Sequence, residues 1–285
     1  MMYAYPPARR VFHDASLQAA LDRDGYVVVD FLSDADVRTL VKWFVENPDS
    51  IYRRGFGPSV LSQNLEYRMA VADIIESVYR MPERGFLDDY RFAMAGFLCK
   101  RPHDGIVQVH QDPTFVDETL YTPVQFWVPL IDVDLNNGCL RVVRGSHLLN
   151  RELRPSEPVF PYDHLLRTIY ADCLTDVPMR AGQAFVFSPA LFHSSLANQS
   201  DGYRVAAGAM YVPSEAQLLC VDPDDRFKPT SLDVFAVPDE YYSSKPYMSR
   251  PDYGDPPLYS APFTWAPLDE ETLRATARHP EPVTA

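Results

Sequence analysis

The chain has 285 residues, 46% of them hydrophobic, and a formal net charge of −13. That length can bury a large core, and so acidic a balance argues against nucleic acid as a partner, since gripping phosphates takes a basic face. The opening MMYAYPPARRVFHD has no apolar h-region or small-residue cleavage site, and apolar runs such as VQFWVPLI stop far short of a membrane span, so neither a secretory signal nor a spanning helix is expected.

Residues 14–24 read as a helix with Leu17 and Leu21 on one face, ended by Gly25. The run YVVVDFL, residues 26–32, is β-branched and aromatic, and short enough for a buried strand. Ser33 offers an N-cap, with Asp34 and Asp36 in the first turn of a helix whose apolar stripe is Leu40, Val41, Phe44 and Val45. Pro48 closes it, and a second helix is expected from about Leu65 to Arg80. After residue 85 short strand-like runs alternate with turn signals: RFAMAGFLCK, IVQVHQD, VQFWVPLIDV, CLRVVRGS, QAFVFS and VAAGAMYVP. Such a pattern predicts a mainly β fold with flanking helices, a sandwich or jelly roll. Residues 148–178 interrupt it with a Pro- and charge-containing insert, a lid or a surface loop.

From residue 221 the chain is rich in Pro and Tyr. Its aromatics Tyr241, Tyr242, Tyr247, Tyr253, Tyr259, Phe263 and Trp265 are expected to pack over the barrel, with one or two free to line a substrate site. With no Ser/Gly linker and no repeat, residues 1–285 read as one domain: a helical N-terminal region (residues 1–84), a core of about 85–215, the insert and the tail (residues 221–285). Cys99, Cys139, Cys173 and Cys220 stand far apart with no CxxC pair, which excludes a zinc ribbon. They read as buried small hydrophobes in a reducing, cytoplasmic setting.

The chemistry centres on His110-Gln111-Asp112, with His193 much later. Residues two apart on a strand share a face, so His110 and Asp112 can converge on one metal. A further imidazole completes two His and one carboxylate, a set that suits Fe(II) and leaves positions open. The HxD tripeptide alone is a weak signal. Arg204, eleven residues after His193, opens the apolar run VAAGAMYVP. Pointing inward it would need an anion, and its planar fork fits a carboxylate; as a strand-edge residue it would simply face water, and spacing does not choose between the two.

Residues 85–212, together with the opening DGYVVVDFLS and its helix, resemble the phytanoyl-CoA dioxygenase family of Fe(II)/2-oxoglutarate-dependent oxygenases. The most telling stretch is Asn137-Gly138-Cys139-Leu140-Arg141-Val142-Val143-Arg144-Gly145-Ser146-His147, similar to that family's N-G-x-L…G-S-H run. Relatives commonly carry Pro where this chain has Arg144. The resemblance implies a double-stranded β-helix, or jelly roll of cupin-like form, with His110, Asp112 and His193 as iron ligands. It also implies Arg204 on the distal carboxylate of 2-oxoglutarate with Ser195 assisting, Trp127 and Met94 flanking the cosubstrate, and O2 as the second cosubstrate. The implied reaction is hydroxylation of a small metabolite or natural-product intermediate with release of succinate and CO2. Asp112 stands where related halogenases lack a carboxylate, which favours hydroxylation; desaturation and ring formation stay open. His147 reads as a turn residue. His13, His103, His164 and His279 read as ordinary side chains, and Asp132 and Asp134 as turn chemistry beside Asn136-Asn137-Gly138.

Three other readings remain. An acyl-CoA or carrier-bound acyl substrate would need a basic mouth, for which Lys100, Arg101, Arg141 and Arg144 are candidates. A jelly-roll binding protein without turnover and a Zn or Mn cupin are the others. A small-molecule substrate and a monomer or homodimer are expected.

Overall fold

The computed structural model describes residues 9–277 apart from 54, 158, 246–248, 252, 253 and 255. Tyr247, Tyr253, His279 and the closing RHPEPVTA lie outside the described residues.

Helix α1 (Ala15–Asp24) starts at Asp14, whose carboxylate accepts the Ser16 and Leu17 amides, and ends at Gly25 with φ of 81°. A side chain there would be strained by that φ and would also strike His147 and Leu191, so only glycine fits. Strand β1 (Tyr26–Asp30) follows. Ser33 and Asp36 then form a reciprocal capping box on α2 (Asp34–Glu46). The expected stripe of α2 is off by about a position. Val37 and Leu40 are buried and Trp43 and Phe44 pack beside them, whereas Val41 and Val45 face solvent. The cause is aromatic: Trp43 stacks on Phe97 at 5.7 Å and Phe44 meets Tyr52 at 4.8 Å, which rotates the helix toward those rings. Helix α3 (Leu65–Tyr79) runs as expected, capped by Asn64, and its Tyr79 hydroxyl donates to the Ala207 carbonyl at 2.9 Å.

The strands are β2 (Phe56–Pro58), β3 (Tyr90–Lys100), β4 (Val107–His110), β5 (Val124–Pro129), β6 (Leu140–Val142), β7 (Thr175–Val177), β8 (Gln183–Phe187), β9 (His193–Ser195) and β10 (Arg204–Pro213). They form an antiparallel six-stranded sheet, β1-β8-β5-β10-β3-β2, and a four-stranded sheet, β4-β9-β6-β7. Trp127, Phe185 and Phe187 of the first pack on Leu140, Val142 and Val177 of the second, giving the jelly-roll sandwich. The N-terminal helices cover the outer face of the larger sheet in one apolar cluster.

The insert is neither loose nor a simple loop. Tyr162, Leu165, Ile169 and Cys173 are buried against Val143, Phe192 and Leu273, and its end supplies β7. The tail forms its own antiparallel sheet, β11 (Leu219–Pro223), β12 (Ser231–Ala236) and β13 (Tyr259–Pro262). Tyr241 and Tyr242 are buried against Phe115 and Val212, but Tyr259 and Trp265 are exposed. None of the described tail aromatics lines the cavity described below, which corrects the substrate-lining expectation for them. All four cysteines are buried. Among the described residues no helix is long and apolar enough to cross a membrane.

Candidate metal centre and its cavity

His110 ends β4 and His193 begins β9, and the two are Cα partners across the four-stranded sheet. Their rings lie 4.2 Å apart. Each ring turns Nδ1 to a backbone carbonyl two residues earlier, His110 to Gln108 at 2.8 Å and His193 to Leu191 at 2.9 Å. With Nδ1–H donating, Nε2 is left as a lone pair facing the site. Asp112 completes the group, its carboxylate oxygens 3.7 Å from His110 Nε2 and 3.8 Å from His193 Nε2. Burial, reinforced by the facing His193 ring, pushes the His110 imidazole down to about 4, so it is neutral, the form that binds a metal.

The alternation expected of HxD is not what brings Asp112 in. The strand stops at His110, and Asp112 sits on the loop beyond. Its amide donates to Pro189 at 2.9 Å, and its carbonyl accepts Arg154 Nε at 2.6 Å. Gln125 Nε2 donates to Asp112 Oδ2 at 2.6 Å. Potential ligand atoms of His110, Asp112 and His193 all lie within 4.8 Å of one another. Two imidazoles and one carboxylate are a donor set suited to ferrous iron.

The triad opens on a cavity of about 680 Å³. Arg204 lines it while only 1% exposed, which disposes of the strand-edge reading. Its Nε and Nη1 are buried without a hydrogen-bond partner, and its guanidinium lies 5.3 Å from the centre of the Trp127 ring. Burial lowers its pKa to about 10, still cationic at neutral pH. Orphaned donors on a buried cation call for an anionic acceptor, and a carboxylate fits their fork. Ser195, Trp127 and Met94 also line the cavity. Ser195 Oγ accepts from Lys100 Nζ at 2.6 Å.

The four cations named for a basic mouth do not stand on the cavity wall. Lys100 is fully buried, and burial with Arg204 close by pushes its amine down to about 6. Arg144 is 4% exposed and pairs with Asp24 at 3.0 Å, Arg141 pairs with Asp176 at 2.6 Å, and Arg101 donates to the Arg53 carbonyl. His147 is buried with Nε2 3.2 Å from the Asp22 carbonyl, a structural role as expected. Asp134 serves the turn by accepting the Asn136 and Asn137 amides, whereas the Asp132 carboxylate accepts the Ala181 amide and only its backbone carbonyl meets Asn137.

Sequence reasoning missed Gln125, which lines the site and holds Asp112. Its spacing of two from Trp127 on β5 was the available signal. Phe160, Asp163 and Leu166 of the insert and Phe56, Val60 and Leu61 of the N-terminal region complete the wall, and nothing local marked them.

The family model described as phytanoyl-CoA dioxygenase (PhyH) matches residues 21–206. The chain is 33% identical over 116 residues to phytanoyl-CoA dioxygenase domain-containing protein 1 of Danio rerio, covering 38% of this chain and 40% of that protein. It is 31% identical over 118 residues to the protein of the same name in Mus musculus, covering 39% and 40%. The chain thus spans about 40% of the length of the curated relatives it matches. Among solved structures it is similar to the epimerase SnoN in complex with Fe3+, alpha ketoglutarate and nogalamycin RO, at TM-score 0.53 and 23% identity, covering 87% of this chain and 94% of that one. It is also similar to HygX from Streptomyces hygroscopicus with nickel, 2-oxoglutarate and hygromycin B bound, at TM-score 0.51 and 15% identity, covering 71% and 88%. At these identities the likeness is one of fold.

Proposed function

The chain belongs to the phytanoyl-CoA dioxygenase family, and from that premise we propose that it is an Fe(II)- and 2-oxoglutarate-dependent oxygenase that hydroxylates a small, largely apolar metabolite or natural-product intermediate. His110, Asp112 and His193 would hold the iron, and Arg204 with Ser195 the distal carboxylate of the cosubstrate, with Trp127 and Met94 flanking it. The described residues are read as one oxygenase domain, acting as a monomer or homodimer in the cytoplasm.

One observation carries the reading: a buried guanidinium with two unsatisfied donors opens on the same cavity as a two-His, one-carboxylate cluster. Bound iron and 2-oxoglutarate would supply the activation of O2, the cosubstrate leaving as succinate and CO2. The protein orients and shields. The Gln108 and Leu191 carbonyls fix the tautomer of each imidazole, and Gln125 fixes the carboxylate plane of Asp112. Arg204 gives two-point recognition at the far end, which sets the direction in which a dicarboxylate lies. Leu98, Val109, Phe160 and Leu166 add apolar surface to the wall, which limits water there.

Among the described residues Arg204 is the one Lys or Arg on the cavity wall. A substrate bearing several phosphates therefore has no cationic anchor there, which favours a compact neutral scaffold over an acyl-CoA.

Anaerobic addition of Fe(II) and 2-oxoglutarate should produce a weak visible charge-transfer band that is lost in His110→Ala. Screening candidate metabolites should then reveal substrate-dependent succinate. Well-folded protein that gives neither band nor succinate would be a jelly-roll binder instead, and metal analysis returning Zn or Mn would point to a cupin of another chemistry.

A further inference from the structure

Lys100 is the last residue of β3, fully buried, and the cross-strand partner of Arg204. Its Nζ donates to Ser195 Oγ at 2.6 Å and to the Leu196 carbonyl. Among the described residues no carboxylate forms an ion pair with it. A lysine taken out of water with no acid beside it is costly, and a packing role would be filled better by Met or Leu. Space is also kept for its acceptor. Gly138 has φ of 82°, and a Cβ there would stand 2.5 Å from the Leu196 carbonyl oxygen and 3.4 Å from Lys100 Nζ. The glycine of the Asn137-Gly138 pair thus leaves room for the Leu196 carbonyl that accepts the amine.

Resting on the oxygenase reading above, we propose that Lys100 is a positioning residue for the distal carboxylate of 2-oxoglutarate, acting through the Ser195 hydroxyl. Charged or neutral, the amine has N–H donors enough for its two contacts, Ser195 Oγ and the Leu196 carbonyl, and a serine hydroxyl has one donor and two lone pairs. With Lys100 donating, Ser195 Oγ is the acceptor, and its single O–H is left to donate. Ser195 lines the cavity, so that O–H is free to point toward the anion that Arg204 awaits. Lys100 thereby fixes the direction of the hydroxyl and strengthens it as a donor. It ties β3 of one sheet to β9 of the other at the place where the carboxylate is gripped.

The test is equilibrium binding without turnover. Dissociation constants for 2-oxoglutarate, and for 2-oxobutyrate, which lacks the distal carboxylate, are measured anaerobically with Fe(II). The proteins are the wild type, Lys100→Met, Ser195→Ala and the double variant. Each single variant should bind 2-oxoglutarate about tenfold more weakly. Affinity for 2-oxobutyrate should be unchanged, and the double variant should be no weaker than either single one, because both act on one hydrogen bond. Equal weakening of both acids, multiplying losses in the double variant, or unchanged 2-oxoglutarate binding in Lys100→Met would each overturn the proposal. Met matches the lysine stem and removes a buried polar group, so folding is expected and thermal melting checks it. Ser195→Ala keeps the same discrimination without touching the amine: equal loss on both acids there overturns the proposal as well. Wild-type protein that binds neither acid would instead bring down the oxygenase reading itself.

Discussion

At the scale of single residues, Asp112 shows how a ligand is aimed. Its carboxylate is one of three groups that a metal would share, and one of its oxygens is already taken by the Gln125 amide. Gln125→Leu should leave the fold intact and weaken Fe(II) binding by about 10- to 100-fold, as removal of such supporting hydrogen bonds does; a metal titration monitored by the cosubstrate band measures it. His147 gives a pH dependence. Burial, with Arg151 nearby, pushes its imidazole down to about 3. The unfolded chain, with an ordinary histidine near 6.5, therefore binds the proton first. Stability is full above that value and falls as pH drops toward about 3. Melting temperatures of metal-free protein across that window should decline less steeply in His147→Leu than in the wild type. The residues of the triad were legible through the family resemblance, because the HxD tripeptide alone is too common to mark a site. Lys100 was not, because strand alternation tells which face a side chain takes but not whether that face meets water or a second sheet. A lysine ending a strand at the sequence level looks solvated.

At the scale of elements, the loop that carries Asp112 is clamped by the start of the insert. Arg154 donates from Nε to the Asp112 carbonyl and pairs through Nη2 with Glu118, both ions buried. Thr114 and Arg154 exchange two further bonds, and Gln111 is locked to Asn150 and Ala190. Removing one ion of such a pair strands the other in a dry site. Arg154→Ala should lower unfolding free energy by about 3–5 kcal/mol, while the apolar pair Arg154→Met with Glu118→Leu should cost far less; chemical denaturation of each variant separates these. The capping box of α2 is a smaller term, and Ser33→Ala should cost about 1 kcal/mol in the same experiment. Helix starts were readable from Ser33 and the stop at Gly25, because caps are local chemistry. The packed face of α2 was not, because Trp43 and Phe44 answer to rings on other elements. The insert escaped for a related reason: its order comes from short turns with no period, buried through contacts with Phe192 and Leu273.

At the scale of the whole molecule, a β sandwich or jelly roll followed from many short runs with turn breaks, and the family resemblance narrowed it to the jelly roll and pointed to Arg204; the order of strands came only with the structure. The cavity did not follow. Its wall is assembled from the N-terminal region, both sheets and the insert, segments that meet only in three dimensions. Phe160→Ala and Leu166→Ala should enlarge it without removing a group assigned to the cosubstrate. Substrate preference should shift toward bulkier molecules with 2-oxoglutarate affinity unchanged, read as relative succinate release over a graded substrate set. A loss of cosubstrate binding in those variants would place the two side chains in the wrong role.

The insert reaches the site at both ends of its job: Phe160 and Leu166 border what enters, and Arg154 steadies the peptide of Asp112. Swapping this stretch between relatives would look like a clean way to re-aim specificity. In this architecture it would also loosen the hold on the ion, unless Glu118 and Thr114 were transplanted along with it.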